Sequence, residues 1–396
     1  GDSTIKDLRS WRAGERLRSC HTPPEMRLLI VASTLFTLFA GTWLLSGFWI
    51  LGAQLTSVVA TIVFLARWLI TPPLAINRTE MEGKVVIITG ANSGCGLEAA
   101  RLLCSWNATV ILACRDMHRA TKAAANITAS LPEHCTGKVL VRKLDLASLA
   151  SVKEFAARFR ETGLGLHVLM CNAGYRSDAL KVTTDGVEMH YQVNHLGHFL
   201  LTVLLIPSLE VGSKTGGGAR VVHVSSSAAG FGVVDRATYS DEIKNADGKL
   251  FDTRMAANVE GVYGDTKLMQ VVFSRELDRR LLARGVRSFA VHPGFVDTTF
   301  GRLDRRWMQT VMVIARPFIA RDPAQGCLTQ VFAAVDAQLE GQGGLFLDNM
   351  EEIPPPPRGA GCRHGRVALV DVSQDRGSPG RGRERPPDLD SRRLIS

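Results

Sequence analysis

Beyond residue 27, apolar and polar positions divide the chain into three textures. From Leu28 to Ala66 no residue is charged, nearly twice the roughly 20 apolar residues that carry a helix across a bilayer. Trp43, Trp49 and Trp68 supply interfacial aromatics, and Arg27 and Arg67 bracket the run, as at membrane boundaries. The core of a signal peptide is shorter, about 7–15 residues. Residues 28–70 therefore predict a transmembrane segment, either one long tilted helix or two helices joined near Gly52-Ala53-Gln54, and Pro72-Pro73 ends it. Near Glu82 the pattern changes to short β-branched runs alternating with helical stretches: Val85–Thr89 then a helix near Leu97–Ser105; Thr109–Ala113 then a helix after Asp116; Val139–Leu144 then Ser148–Arg160; then His167–Cys171 and Arg220–Ser225. Continuous apolar strands with intervening helices predict an α/β fold, a doubly wound parallel sheet covered on both faces, over residues 82–350. After Ile353, Pro354–Pro357 opens a Gly-, Arg- and Pro-rich tail. With few aromatic or β-branched residues, 354–396 reads as disordered.

Charge and cysteine content narrow the classes. The formal charge of +9 is gathered in the basic segment 1–27 and in the tail, which suits anionic lipid headgroups or solvated ends. The stretch between them has no basic patch interleaved with aromatics, so no nucleic-acid partner is expected. The eight cysteines form no CxxC and no zinc spacing with histidine, so no metal is expected. A transporter is excluded because only the first part of the chain is membrane-like. A basic N-terminus favours the cytoplasmic side; one span would then put the α/β part in a lumen, two would return it to the cytosol.

Chemistry is concentrated at strand ends. The first strand runs into Thr89-Gly-Ala-Asn-Ser93-Gly94-Cys95-Gly96 and then a helix. Glycines there permit a tight turn and close approach to a pyrophosphate, which the helix N-terminus attracts. The spacing is TGxxxGxG. Arg115 ends the second strand, where an arginine accommodates the 2′-phosphate of NADP and a carboxylate would select NAD; Asp116 follows directly. Asp145 follows the third strand and Asn172-Ala173-Gly174 the fourth, on the carboxyl edge where ligands bind in such sheets. In Tyr263-Gly-Asp-Thr-Lys267 a phenol and an ammonium share one helix face. A nearby cation favours phenolate, which suits an acid/base catalyst. Alone, such a pair is most often a surface pair; what raises it is the preceding strand, which ends in Ser225-Ser226-Ser227.

Together these motifs resemble the short-chain dehydrogenase/reductase superfamily, whose order they follow: Thr89–Gly96, Asp145-Leu146, Asn172–Gly174, Asn194-His-Leu-Gly-His-Phe199, the serine run, Tyr263–Lys267, and His292-Pro293-Gly294 with Thr298. The resemblance covers about 82–350 and is most similar to the retinol-dehydrogenase-like branch. It implies a Rossmann sheet of about seven strands. It also implies roles: Tyr263 as general acid/base, Lys267 binding the nicotinamide ribose and depressing the Tyr263 pKa, Asn194 holding the water of a proton relay, and Ser226 orienting the carbonyl, with Ser227 the runner-up. Gly90, Ser93, Gly94, Cys95 and Gly96 would hold the cofactor with Arg115, Asp145, Asn172, Ala173, Gly174, Pro293, Gly294 and Thr298. Three departures stand out: Cys95 where the family has Ile, Asp265 between Tyr and Lys, and an unusual chain after Asp348.

The expectation is a membrane-bound oxidoreductase, preferring NADP(H) over NAD(H), that interconverts an alcohol and a carbonyl on a lipophilic substrate such as a retinoid, steroid or long-chain aldehyde. Its partners are that substrate and membrane lipid; a homodimer is allowed. The endoplasmic reticulum or another intracellular membrane is its expected location. The competing reading is a cofactor-binding, non-catalytic scaffold of the same fold.

Overall fold

The computed structural model describes residues 32–34, 48–70, 73–177, 179–234, 259–296 and 320–356. The basic segment 1–27, much of the apolar run before Phe48, Thr298 and the tail from 357 lie outside the described residues. The chain divides into two units, Gly1–Pro73 and Leu74–Ser396.

In the first unit helix α1, Phe48–Ile70, has 23 residues, about 35 Å at 1.5 Å per residue. It runs unbroken through Gly52-Ala53-Gln54, so a turn between two spans does not fall there. Leu55, Val59, Ile62 and Phe64 are exposed along it, apolar area of the kind that marks an interaction surface.

The second unit is built on a sheet of eight strands: β1 (Val85–Thr89), β2 (Thr109–Cys114), β3 (Lys138–Lys143), β4 (Val168–Cys171), β5 (Ala219–Val224), β6 (Val286–His292), β7 (Leu345–Asp348) and β8 (Glu351–Ile353). Their order is β3-β2-β1-β4-β5-β6-β7-β8. The first seven are parallel, as expected; β8 adds an antiparallel edge strand. Asn349 and Met350, both at positive φ, form the tight turn that reverses the chain into it, the backbone geometry of a two-residue hairpin. The fold thus runs past residue 350 to Ile353.

Alternation along the strands sends side chains to two cores. Val86, Ile88 and Met170 face a layer with Leu103 of α2 (Gly94–Ser105), Ile127 of α3 (Met117–Ser130) and Val331 of a C-terminal helix. Val85, Ile87 and Leu169 face Phe155 of α4 (Leu149–Glu161), Leu205 of α5 (Gly197–Gly216) and Leu277 of α6 (Val259–Leu281). Asp116 and Ser148 cap α3 and α4, accepting from Arg119 N at 3.0 Å and Ser151 N at 3.3 Å; each satisfies an amide the helix cannot. By length and composition alone the helical stretch Tyr191–Gly216 could also cross a membrane. Leu201, Leu205 and Leu209 on it are fully buried against the sheet and α4, so it is a core helix. The strand order reverses between β1 and β4, which opens a crevice at their carboxyl ends.

Candidate active site

The turn after β1 has the shape its glycines require. Gly90 has φ +67°, and a Cβ there would lie 2.9 Å from the Ala173 Cβ; Gly94 has φ +59°. A Cβ on Gly96 would run into the Asn172 amide. Asn172 is a brace: its Nδ2 donates to Thr89 O at 2.9 Å, while Asn172 N and Ala173 N both donate to Thr89 Oγ1 at 2.9 Å. These bonds lock the tips of β1 and β4 together beside half-buried Gly174. Ser93 stands at the N-cap of α2 without a side-chain capping bond, which leaves its hydroxyl for other use. Cys95 is buried in the core, and burial pushes its thiol up to about 12; it is a packing residue.

Arg115 is exposed at the end of β2. The adjacent Asp116 is accounted for, because its carboxylate caps α3. Asp145 is half-buried, and its Oδ1 accepts from Ala147 N at 3.0 Å. Pro293 and Gly294 follow β6, with Gly294 at φ +80° and the side chain of Arg321 packed 3.2 Å from where a Cβ would stand. Arg321 is buried, and its Nη1 has no hydrogen-bond partner among the described residues. A buried orphan donor at this edge, the glycine cradle and the exposed Arg115 all fit a nicotinamide dinucleotide.

Tyr263 and Lys267 lie one turn apart on α6, both buried. The Lys267 ammonium is 5.6 Å from the centre of the Tyr263 ring. Its Nζ donates to Val224 O at 2.9 Å and Gln270 Oε1 at 3.2 Å. The three serines separate cleanly. Ser225 is buried and donates to Lys267 O at 2.7 Å; Ser226 shares a hydrogen bond with Tyr263; Ser227 is exposed, with its backbone N–H on His292 Nδ1 at 3.2 Å. Burial raises the Tyr263 pKa, opposed by the Ser226 bond and by the Arg176 guanidinium, 5.2 Å from the ring centre. Burial also lowers Lys267 to about 7. In the chain by itself burial therefore outweighs the Ser226 bond and the Arg176 guanidinium together. Asp265 is directed away, its Oδ1 accepting from Val233 N at 2.6 Å.

Asn194 sits in a π-helical turn, Tyr191–Leu196, and is fully buried. Its Oδ1 accepts from Tyr175 N at 2.7 Å, and its Nδ2 donates to Tyr175 O at 3.0 Å and Thr266 Oγ1 at 3.2 Å. Thr266 in turn donates to Tyr263 O at 2.8 Å. The side chain thus ties the loop after β4 to the helix that carries Tyr263. Several site residues escape motif reading. Gln270 joins Lys267 to the π-turn. His190 Nε2 accepts from Ser177 N at 3.0 Å, so its Nδ1–H donates to Glu188 Oε1 at 2.7 Å, and the pair fixes the loop that bears Arg176. Only Gln270 carried a usable signal, since it follows Lys267 by three on one helix face.

The family described as short chain dehydrogenase matches residues 84–241. The chain is 40% identical over 277 residues to the WW domain-containing oxidoreductase of Gallus gallus, covering 68% of this chain and 62% of that one. It therefore spans about three fifths of the length of such relatives. It is 37% identical to retinol dehydrogenase 12 of Mus musculus, covering 70% of this chain and 81% of that protein, and 37% identical to polyprenol dehydrogenase of Mus musculus, covering 69% and 78%. Among solved structures, a short-chain type dehydrogenase/reductase from Mycobacterium ulcerans superposes with TM-score 0.51 at 18% identity, over 70% of this chain and 93% of that one, a likeness of fold alone. With this fold, this edge of the sheet and these relatives, the chain belongs to the short-chain dehydrogenase/reductase family, in its retinol-dehydrogenase-like branch.

Proposed function

We propose that this chain is a membrane-bound, NADP(H)-preferring oxidoreductase that interconverts an alcohol and a carbonyl on a lipophilic substrate. The observation that carries the reading is the meeting of Tyr263, Ser226 and Lys267 at the carboxyl edge of the sheet, across from the glycine turn. Bound there, the nicotinamide would supply or accept a hydride at the substrate carbon. Gly90, Ser93, Gly94 and Gly96 would hold its pyrophosphate, Arg115 its 2′-phosphate, Asp145 its adenine end, and Gly174, Pro293, Gly294 and Thr298 its nicotinamide side. Ser226 orients the carbonyl oxygen by hydrogen bond. Tyr263 gives that oxygen a proton in reduction and removes it in oxidation. Lys267 binds ribose hydroxyls and, when charged, stabilises the phenolate.

NADP preference rests on Arg115 being exposed while Asp116 is committed to its helix. The lipophilic substrate rests on the apolar segment 28–70 and on relatives named for retinol and polyprenol. A membrane such as the endoplasmic reticulum, and self-association into a homodimer, belong to the same reading. The test is cofactor oxidation by the membrane-bound protein against retinoid, steroid, polyprenyl and long-chain aliphatic aldehydes, with NADPH and NADH compared. Turnover of at least one class with NADPH favoured supports it. Nucleotide binding with no turnover of any carbonyl would select the scaffold reading instead.

A further inference from the structure

Counting donors and acceptors behind Tyr263 leads to a closed interior. Thr89 Oγ1 accepts two backbone N–H groups, from Asn172 and Ala173, so both its lone pairs are used. Its own proton then goes to the nearer acceptor, His198 Nε2 at 2.9 Å, in preference to Met170 O at 3.4 Å. With Nε2 accepting, neutral His198 carries its proton on Nδ1 and donates it to Asn194 O at 3.2 Å. Gln270 Nε2 donates to the same carbonyl at 2.8 Å. A carbonyl oxygen has two lone pairs, and both are filled by side chains. Both donors of the Asn194 amide are filled as well, by Tyr175 O and Thr266 Oγ1. Gln270 itself is buried, and its Oε1 takes the Lys267 ammonium at 3.2 Å.

We infer that Gln270 is a positioning residue that bridges Lys267 and the Asn194 carbonyl directly, in the place the family resemblance gives to a relay water, so that Tyr263 exchanges its proton at the outer, Ser226 side and not through the interior. In reduction the Tyr263 O–H bond breaks and its proton forms the alcohol O–H, as the substrate carbon takes hydride from the reduced nicotinamide. The phenolate is then reprotonated by solvent at the mouth, where Ser226 is half-buried and Arg176 exposed. The amide link is a poor proton conductor. It holds Lys267 in place and admits no water between.

This inference rests on the proposed redox reading, and the experiment separates the two. Wild type, Gln270→Met and Gln270→Ala are assayed for aldehyde reduction in mixtures of H2O and D2O, under conditions where chemistry limits. Wild type should give a linear dependence on deuterium fraction, one proton in flight. Gln270→Met fills the space without bonding: kcat should fall about tenfold, the scale of one hydrogen bond to a charged group, and the dependence should stay linear. Gln270→Ala leaves a polar space that water enters, and the dependence should bow downward. A bowed wild-type curve, or three proteins with the same kcat and the same curve, overturns the inference. If wild type turns over no carbonyl, the redox reading fails, and NMR of protein labelled with 15N-glutamine decides the bridge alone. Gln270 side-chain N–H exchange at least tenfold slower than that of an exposed glutamine supports it, and exchange as fast as an exposed one overturns it.

Discussion

Replacing Lys267 with methionine should make the protein more stable near neutral pH and less stable in alkali. The side chain is buried, and burial lowers its pKa from 10.5 to about 7. The sign follows from proton counts. Between those values the unfolded chain binds more protons than the folded one, so stability rises with pH across the window. Below pH 7 the full penalty applies, about 5 kcal/mol at 1.36 kcal/mol per pH unit. Methionine removes it while roughly keeping the volume. It also leaves Val224 O and Gln270 Oε1 without their donor, at about 1–2 kcal/mol each. The net is about 2 kcal/mol in favour of the variant at pH 7, or about 3 °C in melting temperature. By pH 10 the charge penalty has shrunk below about 1 kcal/mol, the orphaned acceptors dominate, and the variant should melt below wild type. The assay is thermal unfolding of both proteins in the same detergent, without added cofactor, at pH 7 and pH 10. A variant less stable than wild type at both pH values by the same amount would refute the argument, because the ammonium would then carry no burial penalty.

Three further outcomes follow from single contacts. Arg115→Asp should lower the ratio of NADP to NAD efficiency by at least tenfold, since a carboxylate repels the 2′-phosphate; comparison of kcat/KM for the two cofactors checks it, and an unchanged ratio counts against Arg115. Ser226→Ala should cut kcat by about tenfold or more while Ser227→Ala changes it less than about twofold, because the Ser226 hydroxyl meets Tyr263 while Ser227 is exposed; equal losses would mean the two roles are shared. Gly96→Ala should destabilise the fold by about 1–3 kcal/mol, as its methyl collides with the Asn172 brace, and chemical unfolding reads this directly.

What was legible in the sequence was local. Apolar runs such as Val85–Thr89 and the cap residues Asp116 and Ser148 fix their elements within a few residues. The glycine turn and the Tyr263–Lys267 spacing are equally short-range. The serine run could not be resolved, because one step along a chain leaving a strand turns a side chain to another side; only the fold shows Ser225 buried, Ser226 at Tyr263 and Ser227 exposed. Asp265 was open in the same way, until its bond to Val233 N appeared. Contacts across long separations were out of reach. The bond from Gln270 to Asn194 joins residues 76 apart, and Arg176 reaches the Tyr263 ring from the loop after β4. Strand β8 is not legible because a three-residue strand with two glutamates resembles a tail more than an edge strand.

The central claim is that the Tyr263 hydroxyl transfers the proton that accompanies hydride transfer. It is tested most directly by Tyr263→Phe, which removes one oxygen from the buried ring, assayed by NADPH oxidation with whichever aldehyde the wild-type protein turns over. Loss of about 10²-fold or more in kcat, the scale of general acid catalysis, with nucleotide binding retained, is the predicted result; full turnover by the phenylalanine protein would contradict the account.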